Sequence, residues 1–588
     1  MTKVNDMELE SKNELYENLS TERKKLQEQG ELPEWLTTMG WQLLKNNKYL
    51  YKTNSLKKTF KRVAATAASH LTHNADYFEN RFFEILWKGH FALSTPAYNL
   101  GTPKGFPVSC TGNYVNDSVH GFYDSLLEVA DLTKEHFGTS GYVGDIRPRG
   151  SVISGGGTAS GVVPVIKMHV QAMRDITQGT SRRGSWGGYI DLMHGDFDEL
   201  LDEIMAETDD YNIGINYYDD DLIRLSNKHP ETVRRFQRHM KLRAISGKGY
   251  FYFPDRVARM QPPMYEKHGL RSLGSNLCNE ITLHADSQHS FTCVLSSLNL
   301  AFYDEWKNTD TVYVATVFLD CIVSETLKLI DEKPEHKKLA FERIRKGTEK
   351  SRALGLGVMG FHTYLQEKMI AFESMEAIKV NDDIFTHIHD ESLRASQYLA
   401  KEYGEPEWCK GYGVRNTHRT CLPPTMSSSQ ICGTVSQGIE PVMANTYQQK
   451  LAGGTVTRIN PKLMDIMKSR GVLTQANIDS IGKDFKGSVQ HVDWLTEKEK
   501  QVFKTAYEIN QFVLIDMGGD RQPKICQSQS LNVFCHNKMT EKEISELHLY
   551  AMFNPTTKGL YYMRSEPTSK GSSGKSNVTE SECVSCSA

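Results

Sequence analysis

The sequence predicts an α/β protein, a barrel or a doubly wound sheet, on three observations. From about residue 101 to 565, helical stretches alternate with short β-branched or apolar runs: "SGVVPVIKM", "GGYIDLM", "NIGINYY", "GKGYFYF", "HSFTCVLSSLNLAF" and "QFVLIDM". Such alternation is the pattern of helices packed on a mostly parallel sheet. No self-similarity recurs at a solenoid or propeller period. A hydrophobic content of 39% and a charged content of 24% supply a large core under a polar surface.

The elements follow in order. Residues 8–30 are highly charged and compatible with an exposed helix, and "LKKTFKRVAATAASHL" and "YFENRFFEILWKG" carry helical periodicity with little strand signal. Residues 1–90 are therefore expected to form a helical N-terminal region, and 91–565 the α/β domain. Three glycine- or hydroxyl-rich loops interrupt that domain: "RGSVISGGGTASG" (149–161), "TQGTSRRGSWGG" (177–188) and "PPTMSSSQICG" (423–433). Residues 566–588, rich in Ser, Gly and Lys, are expected to form a flexible tail.

Composition excludes several functions. A net charge of −3 gives no global electrostatic case for nucleic acid or membrane binding. The N-terminus has no apolar signal core, and no run approaches the ~18 apolar residues of a membrane span. Eleven cysteines, an odd number, without a secretory signal imply a reducing compartment, the cytoplasm by default, and individual chemical roles.

The chemistry begins in "SNLCNEI" (275–281). If the segment is extended, Asn276, Cys278 and Glu280 project from one face, so that an amide, a thiol and a carboxylate share one space. Cys583 and Cys586 form a C-x-x-C in the tail. With no second pair nearby for a zinc site, they read either as incidental or as a mobile dithiol that exchanges with a buried partner. Cys110 in "FPVSCTGNYVNDS" and Cys293 in "SFTCVLSSLNL" read either as packing residues or as the oxidisable pair such a dithiol requires. The hydroxyls of "TMSSSQ" could precede a helix and meet a phosphate. Neither a Walker loop nor a G-x-G-x-x-G context is present. The dipeptide Tyr561–Tyr562 reads as packing or, because a phenol can lose an electron and a proton together, as a pair of stepping stones for a radical.

Taken together and in this order, "FPVSC", "SNLCNEI", "SFTCVLSSLNL", "PPTMSSSQICGTVSQGIEP", "ICQSQSLNVF", "KGLYYMRSEP" and "SECVSCSA" resemble the large, catalytic (α) subunit of class I ribonucleotide reductase, from about residue 90 to the C-terminus. The resemblance implies a ten-stranded α/β barrel of two five-stranded halves, with a central finger loop carrying a radical cysteine. It implies reduction of ribonucleoside diphosphates to 2′-deoxyribonucleoside diphosphates. Cys278 would be the thiyl-radical site that abstracts the 3′-hydrogen, Glu280 the base at the 3′-OH, and Asn276 a hydrogen-bonding partner of the substrate hydroxyls. Cys110 and Cys293 would be the reducing pair, with Cys110 protonating the departing 2′-hydroxyl. Cys583 and Cys586 would re-reduce that pair and be reduced in turn by thioredoxin or glutaredoxin. Tyr561, abutting Cys278, and Tyr562, facing a small (β) subunit, would conduct the radical from that subunit's metal cofactor.

The resemblance also implies substrate contacts at Thr95, Ser109, Gly141, Asn276, Pro424, Thr425, Met426, Ser427 and Ser428, with Met426 standing where some members carry an acid. It implies an effector site for ATP, dATP, dTTP and dGTP at Asp117, Ser118 and Arg147 on a homodimer interface, with the loop 177–188 and "ETDDYNIGIN" carrying effector information to the base. An N-terminal ATP cone is not expected. No metal or cofactor is expected to be bound by this chain itself. The rivals are an adenosylcobalamin-dependent (class II) reductase, a catalytically silent nucleotide-binding homologue and a general thiol oxidoreductase. The tyrosine pair and the "QSQSLN" context favour class I.

Overall fold

The computed structural model describes residues 14–178, 182–207, 209–451 and 454–567. The chain opens with helices Glu14–Glu28, Thr38–Asn46, Leu56–Ala68 and Ala75–Trp87. The third of these shows why they form. The Ser55 side chain accepts the Lys58 amide at 3.0 Å, capping its N-terminus, and Leu56, Phe60, Val63, Ala64 and Ala67 recur on one buried face. Gly40 brings the second helix against the α/β domain, because a Cβ there would stand 2.6 Å from the Ile431 carbonyl oxygen.

Five strands then run parallel in sequence order: Cys110–Tyr114, Gly138–Tyr142, Trp186–Asp191, Asn212–Asn216 and Tyr250–Tyr252. A second parallel set begins with Phe291–Asn299 and Leu354–Met359. It continues through single parallel bridges, Leu356 to Thr420 and Leu422 to Gln529, into the parallel pair Val533–Cys535 and Met563–Ser565. The halves meet antiparallel at both seams. Cys110–Tyr114 pairs with Phe291–Asn299, and Tyr250–Tyr252 with Gly559–Leu560. The result is the expected barrel of two five-stranded halves. The connection from the first half to the second, residues 253–290, carries the loop 271–290 into the barrel, where residues 275–283 are buried.

Two of the six runs read as strand-like are helices. "SGVVPVIKM" opens the helix Val162–Asp175, whose buried Val162, Val165, Ile166, His169, Val170 and Met173 follow a 3.6-residue period. Pro164 is tolerated because first-turn amides have no intrahelical acceptor. "QFVLIDM" lies in the helix Gln511–Arg521, capped by Asn510, whose side chain accepts the Phe512 amide at 3.0 Å. Conversely, the glycine-bearing strands "CTGNY", "GTSGY" and "LGLGVM" give no strand signal, since glycine weakens that pattern. Of the loop 177–188, Thr177–Gln178 pairs with Arg182–Arg183, and residues 179–181 lie outside the described residues. Among the described residues, no helix is long and apolar enough to cross a membrane.

Candidate active site

Asn276, Cys278 and Glu280 converge, but through a turn. The Asn279 amide donates to the Asn276 carbonyl at 3.2 Å, and Asn279 holds φ +65°, a left-handed conformation that asparagine tolerates better than most residues. The extended-segment expectation is thereby corrected. A bend rather than strand alternation gathers the amide, thiol and acid. The turn is pinned from outside. Tyr189 Oη lies 2.7 Å from the Asn276 carbonyl oxygen and 3.1 Å from Asn279 Oδ1, and Asn279 Nδ2 donates to Phe251 O at 2.9 Å. Gly559 leaves room for it, since a Cβ there would meet Asn279 Nδ2 at 2.6 Å.

Asn276 organises the turn's interior. Its Nδ2 donates to Glu280 Oε1 at 2.9 Å and reaches Cys110 Sγ at 3.5 Å, while its Oδ1 accepts the Glu280 and Ile281 amides. Ser530 Oγ lies 2.6 Å from the Cys278 carbonyl oxygen and 3.1 Å from Glu280 Oε2. Asn276, Cys278 and Glu280 are all completely buried. Burial pushes the Glu280 carboxyl up to about 7, because desolvation of the carboxylate outweighs the hydrogen bonds from Asn276, its own amide and Ser530. At neutral pH this acid is poised to take or give a proton.

Cys110 and Cys293 stand directly opposite each other across the antiparallel seam. Direct antiparallel neighbours have Cα atoms ~4.5–5.5 Å apart, inside the range a disulfide spans. Both are buried, and Gln527 Nε2 lies 3.3 Å from Cys293 Sγ.

Tyr561 Oη lies 3.6 Å from Cys278 Sγ, and the Tyr561 and Tyr562 rings lie 4.1 Å apart between centroids. Both tyrosines are buried. Their backbone is anchored, Tyr561 N donating to Leu531 O at 2.8 Å and Tyr562 N to Asn532 Oδ1 at 2.9 Å. A third phenol completes the cluster. The Tyr250 ring packs on both, and its Oη lies 3.2 Å from that of Tyr562.

The loop 423–433 follows the barrel strand that carries Cys421, a member of the same buried cluster as Cys110, Cys278 and Cys293. The helix Met426–Ile431 begins before the serines rather than after them, so Ser427 and Ser428 occupy its first turn, a correction to the expected order. Its first helical bond is Ser429 N to Thr425 O at 2.8 Å. Thr425 Oγ1 accepts the Gly438 amide at 2.8 Å, and Ser428 Oγ donates to Leu93 O at 3.1 Å, next to Ser94 and Thr95. Pro424 and Thr95 are buried beside this turn, and the buried Ser109 Oγ has no hydrogen-bond partner among the described residues. Gly141 lines a small cleft with Ser140, Gly274 and Ser275, and its missing Cβ spares a 2.8 Å contact with Asn113 Oδ1.

Asp117, Ser118 and Arg147 also come together. Arg147 Nε donates to Asp117 Oδ2 at 2.6 Å, and Ser118 caps the helix Val119–Lys134 by accepting the Gly121 amide at 3.0 Å. That helix presents Val119, Tyr123 and Leu127 to solvent at i, i+4 and i+8. Cys583 and Cys586 lie outside the described residues. Tyr189, Tyr250, Gln527 and Ser530 join the site although the sequence assigns them no role. Gln527 and Ser530 fall in the "QSQSLN" segment, and their side chains reach Cys293 Sγ and the Cys278 carbonyl oxygen, whereas the Gln529 side chain bonds Arg521 and the Gly518 carbonyl.

Among the described residues one group could hold a metal ion, His284, Asp286 and His289, with ligand atoms within 4.8 Å of one another. Here both imidazoles bond to the Asp286 carboxylate at 3.0 Å, at the outer end of the loop.

Thiols gathered at the centre of a barrel of two parallel halves place the protein among barrel oxidoreductases. Residues 108–220, 216–408 and 407–563 match the family described as "Ribonucleotide reductase, barrel domain", and residues 34–105 match "Ribonucleotide reductase, all-alpha domain". The chain is 32% identical over 528 residues, 85% of this chain and 90% of the relative, to the protein assigned as the ribonucleoside-diphosphate reductase large subunit of Frog virus 3 (isolate Goorha). It is 28% identical over 564 residues, 82% of this chain and 87% of the relative, to the ribonucleoside-diphosphate reductase large subunit of Invertebrate iridescent virus 3. Among solved structures, the Actinobacillus ureae class Id ribonucleotide reductase alpha subunit superposes with a TM-score of 0.83 at 35% identity, covering 91% of this chain and 98% of that one. The chain belongs to the ribonucleotide reductase family, with its large subunits.

Proposed function

We propose that the protein reduces ribonucleoside diphosphates to their 2′-deoxy products by thiyl-radical chemistry. The observation that carries this is the meeting, at one buried turn, of Cys278, the near-neutral carboxyl of Glu280 and Tyr561, with Cys110 within reach of Asn276. The radical equivalent arrives from a metal-containing small subunit through Tyr562 and Tyr561 and is taken up by Cys278. Cys278 abstracts the 3′-hydrogen, and Glu280 withdraws the 3′-OH proton, which drives out the 2′ leaving group. Base and thiol must act from one place for this, and the burial of both on a single turn supports it. Cys110 protonates the departing hydroxyl. Cys110 and Cys293 close a disulfide as they deliver two electrons, and Cys278 regains its hydrogen at the end.

Asn276 orients the substrate hydroxyls. The turn Pro424–Ser428, with Thr95, Ser109 and Gly141, holds the diphosphate and ribose. The tail dithiol Cys583–Cys586 returns the electrons from thioredoxin or glutaredoxin on a Gly/Ser-rich tether. Nucleoside triphosphates act at Asp117, Ser118 and Arg147, where the exposed stripe Val119, Tyr123 and Leu127 packs against a second copy.

The test is reduction of CDP by the chain with and without its small subunit, with Cys278→Ser as control. Product that depends on both the small subunit and Cys278 supports the reading. Turnover by the isolated chain with adenosylcobalamin overturns it.

A further inference from the structure

A third thiol lies against the reducing pair. Cys293 and Cys421 sit on the two strands that flank Leu354–Met359, and Gly355 lies between them. A Cβ at Gly355 would meet Cys421 Sγ at 2.6 Å and Cys293 Sγ at 2.8 Å. Only a residue without a side chain lets the two sulfurs approach each other across the intervening strand. Cys110, Cys278, Cys293 and Cys421 belong to one buried cluster.

We propose, on the reading above, that Cys421 is a positioning residue whose S–H is directed at Cys293 Sγ, so that with Gln527 Nε2 it steadies the negative charge this sulfur acquires as the Cys110–Cys293 pair oxidises. Oxidation of two thiols to a disulfide removes two electrons and two protons, so charge passes through sulfur at a buried position. Donors aimed in advance at that charge lower the barrier. Burial pushes the Cys421 thiol well above its ordinary range, with Cys293 and Glu280 adding to the effect, so it remains protonated and able to donate.

Its position also rules out a role as a replacement disulfide partner. Strands lie ~4.8 Å apart, so residues separated by a whole strand stand ~9 Å apart or more, beyond the ~7 Å between Cα atoms that a disulfide bridges. Cys421 therefore donates to Cys293 without exchanging with it.

Three variants separate a donor from a packing residue. Cys421→Ser keeps a donor, Cys421→Val keeps volume without one, and Cys421→Ala keeps neither. In a single turnover of pre-reduced protein with its small subunit and CDP, C421V and C421A are expected to be about tenfold slower than wild type with KM unchanged. C421S is expected to stay within about threefold of wild type. A valine variant faster than the serine variant, or wild-type rates throughout, would overturn the proposal. So would a Cys293–Cys421 disulfide found by peptide mapping after that turnover.

A second measurement needs no turnover. At a fixed alkaline pH, modification of Cys293 in the resting protein by a small alkylating reagent is expected to slow severalfold in C421A despite the added space, and to recover in C421S. An unchanged rate in C421A overturns the proposal. Absence of product from the wild-type protein would instead count against the proposed function, and this second measurement would still decide the role of Cys421.

Discussion

The Tyr561 hydroxyl lies 3.6 Å from the Cys278 sulfur, although the two residues are 283 positions apart in the chain. The contact joins the strand that closes the barrel to the loop that fills it. Tyr561→Phe and Tyr562→Phe are each expected to reduce turnover to background while leaving substrate affinity and the melting temperature near wild type. A phenylalanine ring keeps the packing and removes the phenol that yields the proton and electron. Activity retained in either variant would remove that tyrosine from the radical route.

Cys278→Ser should abolish ribose reduction and preserve nucleotide binding, measured by equilibrium dialysis with the diphosphate. The hydroxyl occupies less volume than the thiol, and its O–H bond is too strong for the same hydrogen exchange. Retained turnover would sink the assignment.

Glu280 ties activity and stability to pH with opposite signs. Its carboxyl titrates at about 7 in the folded protein, above the ordinary carboxyl value of 4.5. Activity that needs the carboxylate should therefore fall as pH drops through about 7. Burying the ionised form costs stability, so the contribution is fully present below pH ~4.5 and is lost as pH rises through about 7. Glu280→Gln should be inactive yet more stable than wild type at pH 8, by up to ~3 kcal/mol, with the gap closing toward pH 5. Denaturant melts at the two pH values check it, and an equal gap at both would count against the shifted carboxyl.

Replacing Cys583 and Cys586 together by serine should block repeated turnover with thioredoxin yet leave a single turnover, and dithiothreitol should restore the rest. Equal loss with both reductants would argue against a shuttle.

Gly355→Ala places a methyl group 2.4 Å from Leu295 Cδ2 and against both the Cys293 and Cys421 sulfurs. Overpacking of this kind costs about 1–3 kcal/mol. The variant should melt earlier and reduce its substrate more slowly, because the thiols are pushed apart. A wild-type melting curve would mean that the strand moves to accept the methyl group.

Much of the site was legible because its chemistry is local. Asn276, Cys278 and Glu280 lie within five residues, and Tyr561 and Tyr562 are adjacent, so spacing alone brings them near one another. The α/β class was legible too, since four of the six apolar runs form strands. The two that do not, in Val162–Asp175 and Gln511–Arg521, have helical periodicity and caps that outweigh their β-branched composition.

The sequence by itself determined which thiols, acid and phenols are present, and family resemblance assigned them an order of roles. Only the tertiary structure decided which of them touch. The turn at Asn279 replaces an extended segment, the antiparallel seam sets Cys110 opposite Cys293, and Tyr250, Gln527 and Ser530 enter from distant strands and loops. Cys421 meets Cys293 only because a glycine stands between their strands. These contacts join residues tens to hundreds of positions apart. They depend on barrel closure and strand register, which hydrophobic periodicity along the chain does not encode.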